Sequence, residues 1–138
     1  MKNIFALIFL FFSFLVQAQE KYSFADISLE LSKNANSVLL DEKVEVDVSI
    51  QGKLKYNYYA AKAVLNKRGD NDVINYVFYD KDSRIKKIEA FVYDANGNEL
   101  QHYRKKDYHD VSATDGISIY NDDRVLYLDY TPTSYPYI

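Results

Sequence analysis

Lys43-Val44-Glu45-Val46-Asp47-Val48-Ser49-Ile50-Gln51-Gly52-Lys53-Leu54-Lys55-Tyr56-Asn57-Tyr58-Tyr59-Ala60-Ala61-Lys62-Ala63-Val64-Leu65 is the stretch on which the fold turns. Val44, Val46, Val48 and Ile50 alternate with Lys43, Glu45, Asp47, Ser49 and Gln51. A strict period of two marks a strand with one apolar and one polar face. Gln51-Gly52-Lys53 offers a turn, and Leu54, Tyr56 and Tyr58 resume the alternation on the way back. The return strand then changes phase, because Tyr59, Ala61, Ala63 and Leu65 have the other parity. A strand switches faces only by adding a residue, so the pattern predicts a β-bulge near Tyr58-Tyr59.

Outward from this hairpin the chain reads as short strands separated by turn residues. On the N-terminal side, Phe24, Ile27 and Leu31 fit one turn of helix or an irregular lead-in equally well. Lys33 to Ser37 is a polar break, and Val38 to Leu40 begins the first strand region. After the hairpin, Asn66 to Asp72 is a charged loop around Gly69. Val73 to Tyr79 is apolar on both faces except for Asn75, as at the centre of a sandwich. Ile85 to Tyr93 and Leu100 to Tyr103 form a second hairpin closed by Asp94-Ala95-Asn96-Gly97-Asn98, with Gly97 free to take a positive φ. Lys105 to Gly116 is polar and irregular, and Ile117 to Tyr120 and Val125 to Tyr130 are short strands. Thr131-Pro132 and Tyr135-Pro136 halt ladder pairing, because proline has no N–H to give. No helix of ten residues or more is expected. The pattern predicts an all-β antiparallel β-sandwich of short strands with long hairpins.

The first eighteen residues have another purpose. Lys2 precedes an apolar run from Ile4 to Val16, and Val16 and Ala18 place small residues ahead of Gln19. That is the layout of a cleavable signal peptide over residues 1–18, and the run is short for a membrane span of about 20 residues. The domain is then 19–138, exported to the periplasm or cell surface and not membrane-spanning after cleavage. Loss of Lys2 takes the net charge from −3 to about −4, which disfavours nucleic acid as a partner. With no cysteine among 138 residues there is no disulfide, thiolate metal site or thiol nucleophile. All 14 tyrosines lie in the exported part, where an apolar ring with a polar tip suits half-exposed sheet positions. The apolar pattern restarting at Tyr137-Ile138 leads us to expect a domain incomplete at its C-terminal end.

Candidate chemistry is sparse. His102 and His109, with Asp107 and Asp110 nearby, suggest a metal site or an acid–base pair. Their odd spacing sets them on opposite faces of a strand, and two ligands without a third make a poor site. Asp94 to Asn98 resembles the start of a calcium loop, but Gly97 comes too early and the twelfth position is Lys105. Asp70, Asp72, Asp80 and Asp82 read as acidic turn residues, and Arg68-Gly69-Asp70 as a chance adhesion tripeptide. Ser112 stands near His109 and Asp110 without a nucleophile-elbow pattern. No catalytic residue, metal or cofactor is therefore assigned. The candidate binding residues are Tyr56 and Tyr58 on one strand face and the Tyr120, Asp122 and Arg124 loop. Tyr127 and Tyr135 could extend an aromatic surface for a glycan or peptide, against the competing expectation of half-buried cross-strand pairs.

Several stretches carry a family resemblance. They are Val64-Leu65-Asn66-Lys67-Arg68-Gly69, Ile88-Glu89-Ala90 leading into Tyr93-Asp94-Ala95-Asn96-Gly97, and Asp110-Val111-Ser112-Ala113. Ile119-Tyr120-Asn121-Asp122-Asp123-Arg124-Val125 and Pro132-Thr133-Ser134-Tyr135-Pro136-Tyr137 follow in order. Together the chain resembles a domain-of-unknown-function family found in exported Gram-negative bacterial proteins, ahead of a transglutaminase-like, papain-fold core. The resemblance covers nearly all of the exported part and implies a β-sandwich beside a Cys-His-Asp catalytic domain. That machinery cannot lie in a chain without cysteine. The expected function is a non-catalytic accessory domain that positions substrate or a partner domain of a transglutaminase-like or protease-like envelope protein. The alternative is an independent glycan- or peptide-binding module using surface tyrosines.

Overall fold

The computed structural model describes residues 22–50, 52–113 and 122–138. The expected signal peptide, the strand from Ile117 to Tyr120 and the side chain of Tyr120 lie outside them. The longest elements are β1 (Ser37–Ile50) and β2 (Lys53–Val64), an antiparallel hairpin as the alternation requires. Gly52 takes a φ of +75° at the turn, a region that a side chain would strain. Val44 lies opposite Tyr58 and Val46 opposite Tyr56, so these apolar residues share one face.

The expected bulge at Tyr58-Tyr59 is absent. Glu42 to Asp47 pair in unbroken register with Ala60 to Lys55. The register shifts instead at two places on the other strand: beside the turn, between Asp47 and Ile50, and further back, where Val38 pairs with Ala63 and Asp41 with Ala61, which leaves three steps on β1 against two on β2. Leu40 is thus the inserted residue at the second of these. Val38 and Val44 have the same parity, yet the bulge puts them on opposite faces. The phase change read on β2 has a different cause. Its two faces are covered at different places along its length, so both Ala63 and Val64 are fully buried at one end.

The core is divided accordingly. Val38, Ala63 and Ile138 form one cluster, packed by Ile27, Leu40 and Leu65 among others. Val64, Val92 and Tyr137 form a second, flanked by Val73, Tyr103 and Tyr130. Neighbouring residues of one strand thus serve cores on its two faces. Tyr137-Ile138 joins these halves through the backbone. Tyr137 exchanges hydrogen bonds with Val64 at 2.8 and 3.1 Å, and Ile138 with Tyr93 at 2.7 and 2.9 Å. The segment where the apolar pattern restarts thus lies between the first hairpin and the second.

The second hairpin is β4 (Glu89–Tyr93) with β5 (Glu99–Arg104), closed as expected with Gly97 at a φ of +90°. Asp94 holds that turn by accepting from the backbone of Asn96 and Asn98 at 2.8 and 2.9 Å. Its carboxylate is a turn-former. The remaining strands are β3 (Tyr76–Tyr79), β6 (His109–Ser112) and β7 (Arg124–Tyr127), in a sheet of order β3-β7-β6. Two expectations fail here. β3 is not a sandwich centre but an outer strand, with Tyr76, Val77 and Phe78 all exposed. The segment read as irregular contains β6, whose single apolar residue, Val111, gave no period to see.

The N-terminal lead-in resolves into two short turns, Phe24–Asp26 and Leu29–Ser32, capped by the hydroxyls of Ser23 and Ser28. The charged loop after β2 is a tight helical turn, Lys67–Asp72. Gly69 is buried in it. A Cβ there would stand 2.2 Å from the Asn36 carbonyl oxygen, so the close approach of two backbones explains this glycine. The adhesion tripeptide is thereby accounted for as structure. Among the described residues, no helix is long and apolar enough to cross a membrane.

Candidate binding surfaces

The sequence-predicted residues fall in two places. Tyr56 and Tyr58 stand on the hairpin, and Asp122 and Arg124 border the three-stranded sheet.

On the hairpin, β1 and β2 run past the core, and their shared apolar face is open. Val44, Val46, Val48, Leu54, Tyr56 and Tyr58 are between 45 and 70% exposed. Tyr56 and Tyr58 pair across the strands as expected of core tyrosines, but they do so in the open. The Tyr58 hydroxyl donates to Glu42 Oε1 at 3.0 Å. Partial desolvation, followed by that carboxylate, holds its pKa above the ordinary tyrosine value. Both charge signs lie on the opposite face, where Glu45 pairs with Lys43 at 2.7 Å. An uncovered stripe of this kind marks an interaction site more often than a free surface.

At the other place, Arg124 donates from Nε to Asp110 Oδ1 at 2.9 Å and to the Tyr79 hydroxyl at 3.1 Å. Tyr79 in turn donates to Asp110 Oδ2 at 2.7 Å. The Tyr79 hydroxyl and then the Arg124 guanidinium hold the Asp110 carboxyl below its usual range. Lys81 and Asp122 pair at 3.3 Å nearby, and with Ser112 these groups line an open cleft of about 480 Å³. Asp122 and Arg124 are thus brought to one cleft, while Tyr56 and Tyr58 belong to another sheet. Each cation of the cleft is already answered by a carboxylate, which leaves a polar, internally paired surface.

His102 on β5 and His109 on β6 belong to different sheets. β6 alternates, so His109 points to the face opposite from Asp110 and Ser112. His109 instead lies against Tyr127, with ring centroids 5.1 Å apart. His102 is on β5, stacked on Phe91 at 4.1 Å with Nε2 3.8 Å from Glu89 Oε1. Asp107 accepts from the Arg104 amide at 2.8 Å. Asp72 accepts from the Ser37 hydroxyl at 2.6 Å, and Asp80 from Ser83. Among the described residues, no three acidic or histidine side chains are grouped to hold a metal ion.

Two features escaped the sequence reading. Tyr76, Phe78 and Tyr127 share an open face of the three-stranded sheet with Val111. Only the pairing of β3 with β7 brings them together, although the alternation of Tyr76 and Phe78 is in the sequence. The second is Asp70, which accepts from the hydroxyls of Tyr135 and Tyr137 at 2.5 and 3.0 Å across 65 and 67 residues.

The profile of the family described as a domain of unknown function, DUF3857, matches residues 51–138. No curated protein and no solved structure gives a significant match.

Proposed function

We propose, for a chain that belongs to the DUF3857 family, a non-catalytic accessory role in an exported envelope protein. Its antiparallel sheets make up a β-sandwich-type domain that docks onto a transglutaminase-like or protease-like domain and positions that domain or its substrate. The observation that carries this reading is the open apolar face of the first hairpin. Six apolar side chains projecting beyond the core cost solubility, and a partner surface would recover about 25 cal/mol for each Å² covered. The resemblance of the sequence to domains standing ahead of papain-fold cores supplies the kind of partner. The apolar N-terminal segment supplies the export, to the periplasm or cell surface.

Calorimetric titration of residues 19–138 with a transglutaminase-like domain from an envelope protein of the same genome tests this. Docking through the hairpin predicts measurable affinity, weakened at least about tenfold by Tyr56→Ser combined with Tyr58→Ser, since aromatic anchors dominate interfaces. An absence of binding, or equal affinity for the double variant, contradicts it. A second reading has an observation of its own. Tyr56 and Tyr58 expose two rings two residues apart on one strand, which also suits stacking on a glycan or an extended peptide. Binding of soluble glycan fragments or peptide that the same double variant abolishes would favour this independent module.

A further inference from the structure

The outer edge of β3 offers a second interaction site, distinct from the hairpin face. The Leu128 amide donates to the Asn75 carbonyl at 2.8 Å, which sets the phase of the β3–β7 ladder. In an antiparallel pair, residues bonded to the partner alternate with residues whose N–H and C=O face away. With Val77 opposite Leu126 and Tyr79 opposite Arg124, these two share the phase of Asn75 and face β7. The N–H and C=O of Tyr76 and Phe78 therefore point outward, and among the described residues no strand pairs with that edge.

Proteins guard such edges with charge or proline. β1 carries Lys43, Glu45 and Asp47, β5 carries Glu99 and Arg104, and β6 carries Asp110. The sequence Tyr76-Val77-Phe78-Tyr79 carries neither charge nor proline, and Phe78 is 63% exposed. The edge is also self-complementary. In an antiparallel pairing of two copies about Val77, Tyr76 lies opposite Phe78, and their outward N–H and C=O groups meet. Centring on Tyr76 would set Phe78 against Ile74, and centring on Phe78 would set Tyr76 against Asp80. Centring on Val77 alone sets both outward aromatic residues, Tyr76 and Phe78, against each other, and the nearest like-charge pair it makes, Asp72 with Asp82, lies beyond β3.

We propose that β3 pairs with β3 of a second copy of this chain about a two-fold axis at Val77, fusing the two three-stranded sheets into one. The Tyr76 and Phe78 rings, crossed at 71° with centroids 5.5 Å apart, give a ridged surface suited to protein and poorly suited to a flat sugar. The two-fold sets the Val77 residues opposite each other at a non-hydrogen-bonded position, where Cβ atoms approach most closely.

Sedimentation of the exported chain from about 1 to about 100 µM spans the affinities expected of a small interface. The expected result is a concentration-dependent dimer whose dissociation constant rises at least about tenfold in Phe78→Lys, a change at an exposed position. Val77→Cys, the sole thiol of a cysteine-free chain, should form an interchain disulfide with copper phenanthroline, whereas Phe91→Cys on β4 should not. Tyr56→Ser with Tyr58→Ser should leave the dimer intact, which separates this site from hairpin docking. A monomer at every concentration overturns the proposal and leaves the edge to a strand from another protein. A dimer indifferent to Phe78→Lys overturns it as well. So does a Val77→Cys chain that cross-links no faster than Phe91→Cys.

Discussion

Asp70 is where single residues decide the most. Its carboxylate accepts from Tyr135 and Tyr137 and thereby fastens the C-terminal segment to the turn after β2. The hydrogen bond to Asp70 raises the Tyr135 hydroxyl to about 12, and burial with the same carboxylate raises Tyr137 further. A folded-state pKa above the unfolded value of about 10 stabilises fully below pH about 10, and that stability is lost as the pH rises through about 12. Asp70→Asn removes the negative charge and should bring the last tyrosinate transition, followed by ultraviolet absorbance, down towards pH about 10 to 11. An unshifted transition would show that the carboxylate does not govern these hydroxyls. The next residue back, Gly69, was legible only as a loop glycine. Its contact with the Asn36 carbonyl joins positions far apart in sequence, and no local pattern encodes that.

At the scale of elements, the first hairpin was legible because alternation and a turn glycine act locally. Its bulge was legible in kind but not in place. Parity reports that an extra residue exists somewhere in a strand pair, and only the register places the insertions on β1, at Leu40 and between Asp47 and Ile50. Deleting Leu40 forces a choice between keeping Val38 in the core beside Ala63 and keeping the register at Gly52. The loss should be about 2 kcal/mol, the value of burying one valine, measured by urea unfolding. A change below about 0.5 kcal/mol would mean that the bulge is not what holds the two halves in phase. β6 was missed for the opposite reason. With one apolar residue in four, it is held by its ladder to β7 and by the Asp110–Arg124 pair, both of them long-range. β3 was placed in a sandwich centre because an apolar run looks the same whether it is buried or awaiting a partner.

For the whole molecule, composition spoke mainly by exclusion, and the site was only partly legible. Tyr56 and Tyr58 were identified from their shared parity, and the structure places both in the open. Asp122 and Arg124 were identified as loop residues; their meeting with Tyr79, Lys81 and Ser112 depends on strand order, which periodicity does not contain. The open apolar faces share one physical consequence. Among the described residues, two small core clusters leave apolar stripes uncovered on separate sheets, and the proposed docking would cover one of them. The most direct measurement is amide hydrogen exchange of residues 19–138 with and without a transglutaminase-like domain of the kind proposed as partner. Docking through the first hairpin predicts slowed exchange in 42–48 and 54–60 when that domain is present. Unchanged exchange there, with any protection confined to other elements, would contradict it.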